Sequence, residues 1–280
     1  MKVRIAENAG FCFGVKRAMK MAWDELENKD SNDVYSLGPL IHNKQAVDRY
    51  KDKGLVEKDS LDKIPNDSKL IIRSHGVAQK IYTESKSKNM DIVDTTCPFV
   101  KKIHDIVKDF SDKGYKIIIV GDVNHPEIIG INGWCNNEAI VINSEEEIDN
   151  IYFSKEDKYC VVSQTTANLE LFDKIITKLK SKIENLTVKN TICFATKERQ
   201  LSAIDLAKEV DCMIVIGGKH SSNTQKLVNI CKDIVPTFSI ETKDELEENK
   251  LQEFKVAGIT AGASTPDWII DEVIEYLKEI

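Results

Sequence analysis

Three cysteines of the chain lie in the same sequence context, which indicates a shared function. Cys12, Cys97 and Cys193 occur in the segments GFCFGVKRAMKMA, TTCPFVKKIHDIV and TICFATKERQLSA. Each is followed by a helical pattern and by a lysine four residues later, which we interpret as solvated. Core packing does not require a cysteine at the same point of three segments. We therefore expect these thiols to be ligands that meet at one place.

Three thiolates from distant parts of a chain suit two kinds of metal centre. One is a tetrahedral zinc ion with an open position. The other is an iron–sulfur cluster, where three cysteines on four irons leave one iron without a protein ligand. That iron can act as a Lewis acid and deliver electrons, whereas zinc has no redox chemistry. The cysteines alone leave both centres open.

The other four cysteines lack this context. Cys160 and Cys212 lie within apolar strand patterns, and Cys135 and Cys231 have no counterpart in the other segments. We expect all four to pack in the core. The odd total of seven cysteines argues against a disulfide framework.

Polar residues follow the apolar runs that we interpret as strands. Parallel α/β proteins bind ligands beyond the carboxyl ends of their strands, near helix N-termini that favour anions. The pattern therefore predicts an anion site. Its candidate residues are His42, His75, His125, Thr166, Ser221, Asn223 and Ser264. His220 also follows a strand, but the neighbouring SSN motif makes the same contacts without it, so we assign it no role.

Glu127 follows His125 and Pro126 in the segment NHPEIIG. One interpretation is a helix cap or a charge in the first helical turn. Beside an anion site and a metal, the carboxyl is instead a candidate acid with a raised pKa that donates protons.

The elements that must position these residues alternate between strand and helix. Short β-branched runs at 69–76, 115–122, 159–166, 211–218 and 255–262 are typical of buried parallel strands. Helical patterns lie between them, as at 98–114 and 201–210, where His104 falls in mid-helix. The chain is predicted to be an α/β protein with mostly parallel sheets.

The order of these features occurs three times, with a period of roughly 85–95 residues. We predict three α/β units at residues 1–96, 97–192 and 193–280. A pseudo-threefold arrangement of such units would bring the three cysteines to one point.

The composition limits the class of protein. Hydrophobic residues make up 41% and charged residues 30%, as in globular proteins, and the net charge is −7. We expect no nucleic-acid binding, because no basic stripe is present. Without a signal-peptide core or an apolar run of spanning length, we expect a cytoplasmic protein with no membrane partner. No G-x-G-x-x-G motif follows a strand, so we expect neither NAD nor flavin.

The motifs of the chain match those of a known family. The chain resembles the 4-hydroxy-3-methylbut-2-enyl diphosphate reductases, which catalyse the last step of the non-mevalonate isoprenoid pathway. The matching segments run in order over nearly the whole chain: AGFCFGVKRA, GPLIHN, RSHGV, DTTCPFV, GDVNHPE, SQTT, TICFATKERQ, SSNT and TAGASTPDW.

The resemblance implies a trefoil of three α/β units around a central cluster. Cys12, Cys97 and Cys193 would bind a [4Fe-4S] cluster whose fourth iron faces the substrate. Glu127 would be the proton donor, with Thr165 and His125 beside it in the catalytic site. The diphosphate would be held by His42, His75, His125, Thr166, Ser221, Ser222, Asn223 and Ser264.

The implied reaction is a reductive dehydroxylation that forms isopentenyl and dimethylallyl diphosphate and releases water. It takes two electrons and two protons, and the implied donor is ferredoxin or flavodoxin. Three other interpretations stay open. They are a redox-neutral hydro-lyase, a redox or iron sensor, and a structural zinc protein with three cysteine ligands.

Overall fold

The computed structural model describes residues 1–28, 33–219 and 221–279. The strands are β1 (Lys2–Ile5), β2 (Val34–Leu37), β3 (Leu55–Lys58), β4 (Lys69–Ile72), β5 (Asp91–Asp94), β6 (Lys116–Val120), β7 (Ile140–Ile142), β8 (Tyr159–Ser163), β9 (Leu186–Val188), β10 (Cys212–Ile216), β11 (Thr237–Ile240) and β12 (Val256–Ala261).

Helices alternate with these strands. They are α1 (Phe13–Glu27), α2 (Lys44–Asp52), α3 (Gln79–Ser87), α4 (Pro98–Asp112), α5 (Pro126–Asn132), α6 (Leu169–Lys182), α7 (Phe194–Ala207), α8 (Ser222–Lys232), α9 (Glu248–Leu251) and α10 (Asp267–Glu279). Short 3₁₀ helices cover Leu61–Lys63, Glu146–Asn150 and Lys243–Glu245. Across the described ranges, no helix has both the length and the apolar character needed to cross a bilayer.

The strands form three four-stranded sheets in which every neighbouring pair is parallel. The strand orders are β3-β2-β4-β5, β7-β6-β8-β9 and β1-β12-β10-β11. The predicted α/β class with parallel sheets is therefore confirmed. In the last sheet the N-terminal strand β1 pairs with β12, close to the other end of the chain.

The chain divides into two compact units. The single-sheet unit contains Met1–Lys16, Ile41–Lys53 and Phe194–Ile280, with the sheet that includes β1. The two-sheet unit contains Arg17–Leu40 and Gly54–Cys193, with the other two sheets. The three sequence units at 1–96, 97–192 and 193–280 stay a prediction.

Central strands are buried on both faces, which explains their continuous apolar runs. In β10, Cys212, Ile214 and Ile216 pack into one apolar cluster and Met213 and Val215 into another. This alternation follows from the two-residue period of a strand. The core role predicted for the four remaining cysteines is confirmed, since Cys135, Cys160, Cys212 and Cys231 are all buried.

The helical patterns after the three candidate ligands are confirmed as α1, α4 and α7, which begin next to Cys12, Cys97 and Cys193. In α4, Pro98 occupies the first turn, where its missing N–H costs nothing. Val100, Ile103, His104 and Val107 form the buried face of α4. Their i, i+3, i+4, i+7 spacing explains why this segment is an amphipathic helix.

Within the two-sheet unit, the segment after β4 packs closely against α5 and α4. The indole Nε1 of Trp134 donates a hydrogen bond of 3.0 Å to the carbonyl of Val77. His104 stacks on Trp134 with 5.0 Å between ring centroids. Burial lowers the pKa of His104 to about 4, so this mid-helix histidine is a neutral core residue at neutral pH.

Gly133 lies where the end of α5 comes closest to the segment after β4, so its substitution tests this packing. A Cβ at Gly133 would overlap Cβ of Ala78, although the backbone φ of −66° accepts alanine. We expect Gly133→Ala to destabilise the fold by about 1–3 kcal/mol, as overpacking usually does. Urea unfolding of the variant and the native chain measures the difference.

Gly130→Ala is the matched control on the same helix. Its Cβ would meet no atom closer than 3.4 Å, and alanine is the better helix former by up to ~1 kcal/mol. Equal unfolding free energies for the two variants would contradict the close approach at Gly133.

Candidate active site

The loop after β6 leads into α5, and this junction positions His125 and Glu127. His125 is the N-cap of α5, where its Nδ1 accepts a hydrogen bond of 3.1 Å from the backbone N–H of Glu127. Pro126 fixes the first helical position. Because Nδ1 accepts, neutral His125 has its proton on Nε2, where it can donate to an anion.

The carboxyl group of Glu127 is buried and is hydrogen-bonded to one threonine. Only 3% of Glu127 is exposed. Its Oε1 accepts from the backbone N–H of Thr165 at 2.6 Å, and its Oε2 accepts from the Thr165 hydroxyl at 2.7 Å. Thr165 follows β8, the parallel neighbour of β6, so adjacent strands bring the two residues together.

Burial raises the pKa of Glu127, and the two hydrogen bonds from Thr165 lower it by less. A carboxyl with a raised pKa keeps its proton to a higher pH and can serve as a general acid. Glu127 is in the first turn of α5, but His125 is the cap and the carboxyl contacts Thr165. This geometry favours the acid interpretation of Glu127 over the simple helix-end charge.

Thr165 also contacts a candidate metal ligand. Its carbonyl accepts a hydrogen bond of 2.7 Å from the backbone N–H of Cys193. Glu127, Thr165 and Cys193 are thus joined by direct contacts within the two-sheet unit. A movement of Thr165 would disturb both the acid and the cysteine.

Cys97 and the candidate histidines of the two-sheet unit also lie between the end of a strand and the start of a helix. Cys97 is the N-cap of α4, and its N–H donates to the carbonyl of Ser74 at 3.0 Å. His75, which directly follows Ser74, lies edge-on to His125 with ring centroids 5.6 Å apart. The structure therefore brings the predicted residues His75 and His125 together.

Thr166 lies beside Thr165, where it is held by a residue to which the sequence analysis gives no role. Its hydroxyl accepts a hydrogen bond of 3.0 Å from Nε2 of Gln164. The Oε1 of Gln164 accepts from the backbone N–H of Asp122 at 3.3 Å. Gln164 thus connects the ends of β6 and β8. Its place in the SQTT motif is the signal that could have identified it.

In the single-sheet unit, the predicted residues cluster around the start of α8 and the end of β12. Ser221 is the N-cap of α8, and its hydroxyl accepts from the N–H of Thr224 at 3.4 Å. Ser222 is the first residue of the helix. The Ser264 hydroxyl donates to the carbonyl of His42 at 3.1 Å.

Asn223 has the clearest sign of a missing ligand. It is 6% exposed, and neither its Nδ2 nor its Oδ1 has a hydrogen-bond partner within the described part of the chain. Buried amides are almost always hydrogen-bonded, so this one indicates a bound polar group. His220, two residues before α8, is outside the described residues.

The seven cysteines divide into two groups by environment. Cys12, Cys97 and Cys193 are half-buried beside helix N-termini, whereas the other four are buried in the core. Burial raises the pKa of Cys135, Cys160, Cys212 and Cys231 to about 11, which keeps these thiols protonated at neutral pH. Among the seven cysteines, the three that the repeat singles out are therefore the ones with partly exposed side chains.

Comparison with known proteins gives consistent results. The family model described as LytB protein matches residues 3–278. A curated relative from Clostridioides difficile (strain 630), named 4-hydroxy-3-methylbut-2-enyl diphosphate reductase, is 61% identical over 280 residues, covering 100% of both chains.

Two solved structures are also similar. One is (E)-4-hydroxy-3-methyl-but-2-enyl diphosphate reductase, described as the terminal enzyme of the non-mevalonate pathway. It has a TM-score of 0.79 and 41% identity, with 100% of each chain covered. The other, the E-1-hydroxy-2-methyl-but-2-enyl-4-diphosphate reductase from Plasmodium falciparum, has a TM-score of 0.89 and 27% identity, covering 99% of this chain and 87% of that one. The chain belongs to the LytB protein family.

Proposed function

We propose that this chain reduces (E)-4-hydroxy-3-methylbut-2-enyl diphosphate to isopentenyl and dimethylallyl diphosphate, the terminal step of the non-mevalonate pathway. The allylic C–O bond breaks and the hydroxyl leaves as water with one proton, while two electrons and the second proton form the new C–H bond. The observation that carries the proposal is the buried Glu127 carboxyl on Thr165, whose carbonyl also holds the backbone of Cys193.

The cofactor of the proposed reaction is a [4Fe-4S] cluster with Cys12, Cys97 and Cys193 as ligands. The donor chemistry fits, because these three thiols are half-buried while the other four are buried. When bound, such a cluster supplies single electrons and a Lewis-acidic iron that has no protein ligand. No role is assigned to NAD or flavin, and reduced ferredoxin or flavodoxin is the proposed electron donor.

In this proposal, eight residues hold the diphosphate. They are His42, His75, His125, Thr166, Ser221, Ser222, Asn223 and Ser264. The unsatisfied amide of Asn223 and the N-terminus of α8 favour an anion. Binding energy from this non-reacting end can fix the position of the allylic end.

Glu127 is the proposed proton source. In its protonated form, Oε2–H donates to the hydroxyl of Thr165, 2.7 Å away, and that hydroxyl can pass a proton to the leaving oxygen. The backbone N–H of Thr165 keeps the carboxyl in this orientation. Burial raises the pKa of Glu127, so its carboxyl keeps a proton to a higher pH than an exposed glutamate does.

The proposed reaction predicts that turnover requires a reductant. We expect anaerobically reconstituted protein with dithionite-reduced viologen to convert the hydroxymethylbutenyl diphosphate into both products, measured by chromatography. No conversion is expected without the reductant. Consumption of the substrate without the reductant, to a product other than these two, would indicate the redox-neutral hydro-lyase. A loaded protein that is inactive in both conditions would indicate a sensor.

The Glu127→Gln variant tests the acid. We expect turnover to fall by about 10²–10⁴-fold, the usual contribution of a general acid, because the amide cannot supply the proton. Iron content is expected to stay at the native level. Turnover of the native enzyme is expected to fall as the pH rises through the raised pKa of Glu127, because only the protonated form donates.

Glu170→Gln is the matched control, since Glu170 is also the second residue of a helix in the two-sheet unit but is exposed. It is expected to retain native turnover. Native turnover in Glu127→Gln would contradict the role of Glu127 as the acid. Loss of iron from this variant would instead indicate that Glu127 has a structural role.

Removal of single cysteines tests the cluster ligands. We expect alanine at Cys12, Cys97 or Cys193 to abolish stable cluster binding, measured as iron and sulfide per chain after anaerobic reconstitution. Cys231→Ala is the control for loss of a thiol, because Cys231 is fully buried in the core. Zinc in place of iron in the native protein would indicate the structural zinc alternative.

A further inference from the structure

Arg199 is a buried cation for which the proposed reaction gives no reason. It lies on α7, six residues after Cys193, and is 3% exposed. Its Nη2 donates a hydrogen bond of 2.6 Å to the carbonyl of Gly10. A guanidinium stays charged in proteins, so a fixed positive charge is buried at this point.

The hydrogen bond holds the loop that carries Cys12. Gly10 has a φ of +85°, and a Cβ there would lie 2.8 Å from the side chain of Ile270. The N–H groups of Gly10 and Cys12 donate to the carbonyls of Ala261 and Ala263, both at 3.3 Å. The end of β12 and the residues after it thus accept hydrogen bonds from the backbone N–H groups of Gly10 and Cys12. Arg199 holds the carbonyl of Gly10, which lies between these two N–H groups in the chain.

A second arginine repeats this arrangement in the two-sheet unit. Arg17 follows Cys12 by five residues on α1, and its Nη1 donates at 3.3 Å to the carbonyl of Thr96. Thr96 directly precedes Cys97. In both units, an arginine on the helix after one candidate ligand bonds a carbonyl one or two residues before another. The two contacts differ by one residue in their spacing, but both hold the backbone of a segment that carries a candidate ligand.

We propose that Arg199 is a positioning residue that locks the Cys12 loop through Gly10, and that its charge raises the reduction potential of the cluster. The second part rests on the proposed function, because it needs the cluster. A cation in a low-dielectric environment favours the more negative, reduced form of a cluster. The planar guanidinium also fixes the carbonyl more rigidly than the flexible ammonium of lysine does.

The test compares Arg199→Met and Arg199→Lys with native protein and with Arg4→Met. Arg4 is a partly exposed arginine of the same unit that pairs with Glu209 at the surface, so its loss controls for removal of a charge. The readouts are the rate of iron loss to a chelator and the reduction potential of the reconstituted protein. Hydrogen exchange of the Cys12 amide in the metal-free protein is the third readout.

We expect Arg199→Met to lose iron about tenfold faster, in the range usual for partners that orient metal ligands. Its ratio of reduced to oxidised cluster at a fixed potential should fall about tenfold, which is ~59 mV for one electron. Arg199→Lys should keep nearly the native potential, because it keeps the charge, but should still lose iron faster. The Cys12 amide should exchange faster in Arg199→Met.

Native values in Arg199→Met for all three readouts would overturn the proposal. An Arg199→Lys potential as low as that of Arg199→Met would overturn the part that concerns charge. If Arg199→Met does not fold, the Arg199→Lys variant tests the proposal instead. Iron retention at the native level in Arg199→Lys would then contradict the positioning role of Arg199. Failure of the native protein to bind iron would refute the proposed cofactor instead, and hydrogen exchange would still test the lock.

Discussion

The pair formed by Glu127 and Thr165 is the interaction on which the candidate site depends. A buried carboxyl without partners would cost several kcal/mol, and Thr165 offsets this cost with its N–H and its hydroxyl. The same residue accepts from the N–H of Cys193. The N–H, hydroxyl and carbonyl of one threonine therefore hold the carboxyl of Glu127 and the backbone of Cys193 in fixed positions relative to each other.

Parallel strands make this arrangement possible. All carboxyl ends of a parallel sheet lie at one edge, so residues after β6 and β8 are neighbours although Glu127 and Thr165 are 38 positions apart. Helices begin at the same edge, which adds backbone N–H groups that favour anions and thiolates. Within the two-sheet unit, this architecture explains why Glu127, His125, Cys97 and Cys193 all lie at or beside helix N-termini.

The local pattern of the sequence was sufficient to predict five of the strands, the helices after the three candidate ligands and the burial of the other four cysteines. Hydrophobic periodicity indicates which residues of one helix or strand are buried, and the repeat allowed the three cysteine segments to be compared with one another. Neither signal could reveal the pairing of β1 with β12, or the hydrogen bond between Arg199 and Gly10, which are 189 positions apart. Such contacts depend on tertiary packing, which leaves no periodic signal. Gln164 was missed for a related reason, since its two partners are defined only once β6 and β8 are adjacent.

The polar groups of the candidate residues differ in how they are satisfied. Both carboxyl oxygens of Glu127 accept hydrogen bonds from Thr165. Asn223 is buried with both amide atoms unsatisfied within the described ranges, which costs stability unless a ligand supplies the partners. The carboxyl of Glu127 is thus held in place by the protein itself, whereas the amide of Asn223 still offers a donor and an acceptor to a ligand. Under the proposed function, an anion bound at Asn223 would offset the cost of leaving this amide unsatisfied.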